Sequence, residues 1–165
     1  MVGKLRSSIC SQEQLESEEF RYWASRVSDG FRLHRKLWEF CYIAHALQER
    51  GMLQSGRRGL GFGVGREPLA ELFASHGCEI VATDQPEEKA QAGGWIDTGQ
   101  HVAELEALNE RYICPPEQFR QLVSFRHLDM NAIPSDLTGF DFTWSSCAFE
   151  HLGSIEHGLK FIENQ

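Results

Sequence analysis

Gly61-Phe62-Gly63-Val64-Gly65 and the downstream run Cys78-Glu79-Ile80-Val81-Ala82-Thr83-Asp84 decide the reading of this chain. The first part reads as a short, weakly apolar strand from Arg58 to Phe62 entering a glycine-only turn. Pro68 suits the first turn of the next helix, where its missing N–H costs nothing, and Leu69, Leu72 and Phe73 give that helix a buried face. Gly77 closes it. The second strand has the β-branched character of a buried parallel strand and ends on Asp84, nineteen residues after Gly65. A strand, glycine turn, helix and strand in this order build a crevice at the carboxyl edge of a parallel sheet. Glycines there let the backbone approach a nucleoside-bearing cofactor, and the acid accepts hydrogen bonds from ribose hydroxyls.

Outward from this unit the pattern continues. Pro86, Gly93, Gly94 and Gly99 mark a loop that carries Trp95 and Ile96. A helix is expected over about 100–110, presenting Val102, Leu105 and Leu108, and Pro115-Pro116 ends that region and starts a short helical turn. A third strand runs through Val123-Ser124-Phe125-Arg126-His127-Leu128 into Asp129, and a fourth, Phe140 to Trp144, leads into Ser145-Ser146. A last helix is expected over 155–162. Upstream, residues 1–17 read as a flexible polar lead. Residues 18–54 hold two helices, one with Phe20, Trp23, Ala24 and Val27 in helical spacing, the other with Leu33, Leu37, Phe40, Cys41, Ala44 and Leu47. Gly51 stops the second. These helices either pack on the sheet or lie over the cofactor mouth. Residues 55–165 form the core. Strands alternating with helices imply an α/β fold with a doubly wound parallel sheet. All four strands end on residues suited to a cofactor rim: the glycines, Asp84, Asp129 and the serine pair.

Composition sets the outer limits. At 165 residues a single domain is expected, and 24 acids against 16 Lys and Arg leave a formal charge of -8. That field repels phosphate backbones, so no nucleic-acid partner is expected. The five cysteines are widely spaced without a C-x-x-C pair and read as reduced core thiols of a cytoplasmic protein. No apolar run of membrane-spanning length occurs in the sequence and its first residues lack an apolar h-region, so no membrane partner is expected.

The turn itself narrows the cofactor. A dinucleotide fingerprint G-x-G-x-x-G requires glycine at position 66, where the chain has Arg66, and no G-K-[ST] follows to make a P-loop. Together with His127-Leu128-Asp129-Met130 and Phe140-Asp141-Phe142-Thr143-Trp144-Ser145-Ser146, the turn and Asp84 resemble motifs I to IV of the class I S-adenosylmethionine-dependent methyltransferases. The stretch Ser146 to Gly153 is similar to the segment after strand four in many small-molecule members of that family. The resemblance covers roughly residues 55–163 and implies a Rossmann-like fold that binds S-adenosylmethionine and methylates a small-molecule acceptor. It implies that Gly61, Gly63 and Gly65 lie against the methionine part of the cofactor. By the same resemblance Asp84, with Gln85 beside it, would hold the ribose. The resemblance also implies that Asp129 would bind the adenine amino group with Met130 beside the ring, and that Ser145 and Ser146 would lie near the sulfonium and the acceptor.

Two departures stand out. The family often carries an acid two residues before the first glycine, where this chain has Gly59; Glu67 is a substitute candidate. The family's sheet also continues beyond a fourth strand. The sequence is thus expected to be a fragment of a longer protein, a short member that dimerises over the strand-four edge, or a degenerate relative acting as a scaffold. Glu150 and His151 are the catalytic candidates, as proton acceptor or positioning group for the acceptor. Against that stands a structural role at the start of the following helix. No metal site is expected: His151 and His157 are six apart, on different helix faces. Cys147 reads as a packing residue, as do Trp23, Trp38, Phe40 and Tyr42.

Overall fold

The computed structural model describes residues 7–28, 30–92, 94, 97, 99, 102 and 104–165. Trp95, Ile96 and part of the helix expected over 100–110 lie outside the described residues; the part within them is a 3-10 turn, Leu105–Asn109.

The chain opens with a short helix, α1 (Gln12–Leu15), in the segment expected to be a flexible lead. Ser11 caps it reciprocally: its hydroxyl accepts the Gln14 N–H, and the Gln14 side chain accepts the Ser11 N–H. Next come α2 (Glu18–Val27) and α3 (Arg35–Glu49), which pack along each other. The expected apolar spacing in α2 is its buried face: Phe20, Trp23, Ala24 and Val27. In α3 the buried set is Leu37, Trp38, Phe40, Cys41 and Ala44. Leu33 does not join that stripe. It precedes the helix and is 59% exposed, because the His34 imidazole accepts the Lys36 N–H and starts α3 after it.

The remaining elements are β1 (Arg58–Phe62), α4 (Leu69–Ser75), β2 (Glu79–Asp84), α5 (Glu87–Ala92), α6 (Pro116–Leu122), β3 (Val123–His127), β4 (Phe142–Ser145) and α7 (Ile155–Asn164). The four strands form one parallel sheet in the order β3-β2-β1-β4. Strand four begins two residues later than the sequence suggests. The carboxylate of Asp141 accepts hydrogen bonds from the Arg57 guanidinium at 2.6 Å and the Arg58 N–H at 2.8 Å, closing the strand's entry.

The weak apolar character of β1 has a packing cause. A Cβ on Gly59 would meet the Phe142 ring at 2.4 Å, and one on Gly61 would meet Trp144 at 2.3 Å. The two β4 rings fill the space that side chains on β1 would take. Phe73 of α4 meets both edge-on, with ring centroids at 5.6 and 5.0 Å. Helices cover both faces. The larger core joins α2, α3, α4 and α6 to one side of the sheet; on the other, Leu60 and Phe62 meet Leu128, Leu152 and Phe161 of α7. This is a doubly wound, Rossmann-like α/β fold.

Buried Glu71 ties α4 to the segment before α6. Its Oε2 accepts the Ile113 N–H at 3.1 Å, Arg111 lies 3.6 Å from Oε1, and burial raises the carboxyl's pKa.

Candidate functional site

The carboxyl ends of all four strands converge on one cleft of about 320 Å³. That size falls at the lower end of roughly 300–1,000 Å³ for small-molecule sites.

Its floor is the glycine turn after β1. Gly63 and Gly65 take φ of +59° and +48°, the left-handed region, and a Cβ on Gly63 would meet Ala148 at 2.7 Å and the Met130 sulfur at 3.3 Å. Glycine is therefore required at Gly63 by backbone and by space. The turn is anchored to β2, where the Val64 N–H donates to the Thr83 carbonyl at 3.0 Å and the Thr83 hydroxyl to the Gly61 carbonyl at 2.7 Å.

Asp84 and Asp129 form the wall on the β2–β3 side. Asp84, only 8% exposed, accepts the Gln85 N–H at 2.8 Å and the Val102 N–H at 3.2 Å, one on each carboxylate oxygen. Its carbonyl accepts the Leu128 N–H at 2.8 Å, which fixes the end of β3 beside it. Asp129 Oδ1 accepts the Asn131 N–H at 2.9 Å in a tight turn that presents Asp129 and Met130 together.

Glu67 is buried to 5% exposure yet lines the cleft. The Trp144 indole N–H donates to its Oε1 at 2.6 Å, but burial outweighs that bond and pushes the carboxyl up to about 8. Across the cleft, Ser146, Cys147 and His151 follow β4. Cys147 holds a left-handed backbone, φ +54°, and its thiol donates to Glu39 Oε2 of α3 at 2.7 Å. Burial first, then this carboxylate, raise the thiol to about 11. The remaining wall comes from the N-terminal helical region, through Arg32, Lys36 and Phe40. Phe40 of α3 thus belongs both to the core and to the cleft lining.

Of the residues singled out from the sequence, Gly63, Gly65, Asp84, Gln85, Asp129, Met130, Ser146 and His151 line this cleft. Gly61 lies beneath it, under Trp144. Ser145 closes β4 with its hydroxyl buried and without a hydrogen-bond partner, outside the lining. Glu150, on the 3-10 turn Phe149–His151, is exposed and does not line the cleft. Lys36, Glu39 and the Cys147 contact were not legible in the sequence, since no local spacing links α3 to the segment after β4. Among the described residues no group of three or more His, Cys, Asp or Glu is placed to hold a metal ion, and no helix is long and apolar enough to cross a membrane.

No protein-family model matches this chain, and no curated protein sequence does. Solved structures do. A putative sarcosine dimethylglycine methyltransferase from Galdieria sulphuraria matches 78% of this chain and 41% of its own length, at 20% identity and a TM-score of 0.50. A SAM-dependent methyltransferase from Geobacter sulfurreducens, in complex with S-adenosyl-L-homocysteine, matches 90% of this chain and 51% of its own, at 16% identity and a TM-score of 0.45. The glycopeptide N-methyltransferase MtfA, complexed with sinefungin, matches 72% of this chain and 40% of its own, at 17% identity and a TM-score of 0.47. At such identities the likeness is one of fold alone: the chain shares its Rossmann-like α/β fold with the Galdieria structure. It spans 40% to 51% of the length of these structures.

Proposed function

We propose that this chain binds S-adenosylmethionine and belongs to an enzyme that methylates a small-molecule acceptor. The observation that carries the reading is the pair Asp84 and Asp129, at the ends of adjacent parallel strands, facing one cleft with the glycine turn between them and β4. The residues fit the donor on the structure's own terms. The missing side chain at Gly63 lets Ala148 and Met130 close against the turn at the cleft floor, and both acids are oriented by backbone N–H groups. Two cleft acids, Asp84 and Asp129, suit a cationic ligand.

Bound S-adenosylmethionine supplies a methyl group already activated on a sulfonium. The chain's own work is then alignment and exclusion of water. Asp84 would hold the ribose hydroxyls, Asp129 and Met130 the adenine, and the Gly63–Gly65 turn the methionine part. Ser146 and His151 would face the acceptor, with His151 placed to take the proton that an N–H or O–H acceptor releases. Glu150, turned out to solvent, would act at most by setting the position of the 3-10 turn. Titration calorimetry with S-adenosylhomocysteine tests the reading: wild type binds, and Asp84→Ala weakens binding at least tenfold. Folded wild-type protein that gives neither heat nor a thermal shift with either S-adenosylmethionine or S-adenosylhomocysteine overturns it.

We also keep the expected homodimer over the β4 edge as a proposal. One observation supports it: α7 exposes Ile155, Leu159 and Ile162 and reaches β4 through the Gln165–Thr143 hydrogen bond, so an apolar stripe adjoins the unpaired strand edge.

A further inference from the structure

The cleft has two chemically different halves, and the sheet order separates them. Asp84 ends β2 and Asp129 follows β3, on one side of β1; the segment after β4 lies on the other. The N-terminal region walls the β4 half. Lys36, Glu39 and Phe40 share one face of α3, three and four residues apart. Glu39 fixes that face over the β4 segment through its bond to Cys147. Lys36 therefore sits above the region of Ser146 and Cys147. It lies near enough to Cys147 and Glu67 for its charge to bear on both.

The charge balance of this half is distinctive. Arg66 is paired with Glu110, and Arg111 with Glu71 and the Arg66 carbonyl. Glu39, the natural i+3 partner for Lys36, is occupied by Arg35 and Cys147. The Lys36 ammonium has no hydrogen-bond or ion-pair partner among the described residues, and it lines the cleft together with Arg32. The first turn of α3 adds the positive end of a helix dipole on the same wall. In a chain of net charge -8, an ammonium kept from its neighbouring acid and turned into a cleft is placed for an incoming anion.

We propose that Lys36, supported by Arg32, forms an acceptor subsite for a carboxylate or phosphate, so that the methyl acceptor is a small anionic molecule. This rests on the donor reading above and adds the acceptor's chemical class. Phe40 offers the apolar surface beside the charge.

Calorimetry on the full chain with the probes benzoate, phenyl phosphate and neutral benzamide tests it, each titrated with and without saturating S-adenosylhomocysteine. The expected result is that one or both anions bind alongside S-adenosylhomocysteine and benzamide does not. Lys36→Met should weaken anion binding at least tenfold while leaving S-adenosylhomocysteine affinity within about twofold and the melting temperature unchanged. Which anion binds more tightly tells carboxylate from phosphate. No anion binding, or equal binding by Lys36→Met, overturns the proposal. So does competition between the anions and S-adenosylhomocysteine, which would assign the lysine to the donor's own carboxylate. If S-adenosylhomocysteine fails to bind but the anions still bind through Lys36, the donor reading falls and the anion subsite stands.

Discussion

The Cys147 thiol donates a hydrogen bond to Glu39 Oε2 across 2.7 Å, joining residues 108 apart in sequence. One bond thereby connects the N-terminal helices to the segment after β4 across one side of the cleft. It also explains how a non-glycine residue holds φ of +54° here, since a left-handed backbone persists where surrounding contacts enforce it.

Burial, with the same bond second, makes Cys147 a poor nucleophile despite its place in the cleft. Its thiol is raised to about 11, by burial and then by Glu39, and the thiolate is the reactive form. Native protein at pH 8 should therefore alkylate slowly at Cys147 with iodoacetamide, followed by peptide mass spectrometry. Glu39→Gln removes the carboxylate contribution and should speed labelling by about threefold or more, with burial still retarding it. Native Cys147 that reacts as fast as a small free thiol would refute the account.

Glu67 predicts an unusual pH profile. Its carboxyl titrates near 8 in the folded chain against an ordinary value of 4.5. Between those values the folded state holds a proton that the unfolded chain has released, so stability falls as pH rises through the window. At ~1.4 kcal/mol per unit, the loss from pH 5 to pH 8 is roughly 2–4 kcal/mol. Glu67→Gln should flatten this slope and melt higher than wild type at pH 8. Parallel melting curves for the two proteins across pH 5–8 would contradict the assignment.

The parts of the fold written in local pattern were readable. The ends of β1 and the start of α2 follow from glycine punctuation and apolar spacing, and Asp84 and Asp129 appear as strand-end acids. What escaped depends on tertiary partners. Leu33 fits a helical stripe by spacing, but the His34 cap begins the helix beyond it. Lys36 is one basic residue on an amphipathic helix until Glu39 turns that face to the cleft. Glu150 and His151 are exposed neighbours on a 3-10 turn, yet only His151 lines the cleft.

The α7 stripe carries a prediction about assembly. Leu159 is 58% exposed between Ile155 and Ile162 on one helix face. If a second chain covers this face and pairs with β4, sedimentation of wild type shows a dimer, and Leu159→Glu shifts it to monomer without altering S-adenosylhomocysteine binding. Monomeric wild type at tens of micromolar leaves the edge without a second copy and removes the proposal.

Gly59 looks from the sequence like a lost acidic anchor, and restoring the acid would seem to improve donor binding. The structure argues the reverse. A Cβ there would meet Phe142 ring carbons at 2.4 and 2.5 Å and Ile80 Cδ1 at 2.9 Å, all within the core of the sheet. Gly59→Asp would thus force the β4 ring out of its edge-on contact with Phe73 and bury a carboxylate at a position sealed by apolar atoms. Overpacking alone costs about 1–3 kcal/mol, and the buried charge adds to it. The expected outcome is a strongly lowered melting temperature and no gain in S-adenosylhomocysteine affinity. Gly59→Asp combined with Phe142→Ala removes the clash but not the desolvation, so it should recover only part of the loss. A stable Gly59→Asp protein that binds S-adenosylhomocysteine more tightly would show that β1 yields at this position, and that Glu67 is not needed in the anchor's place.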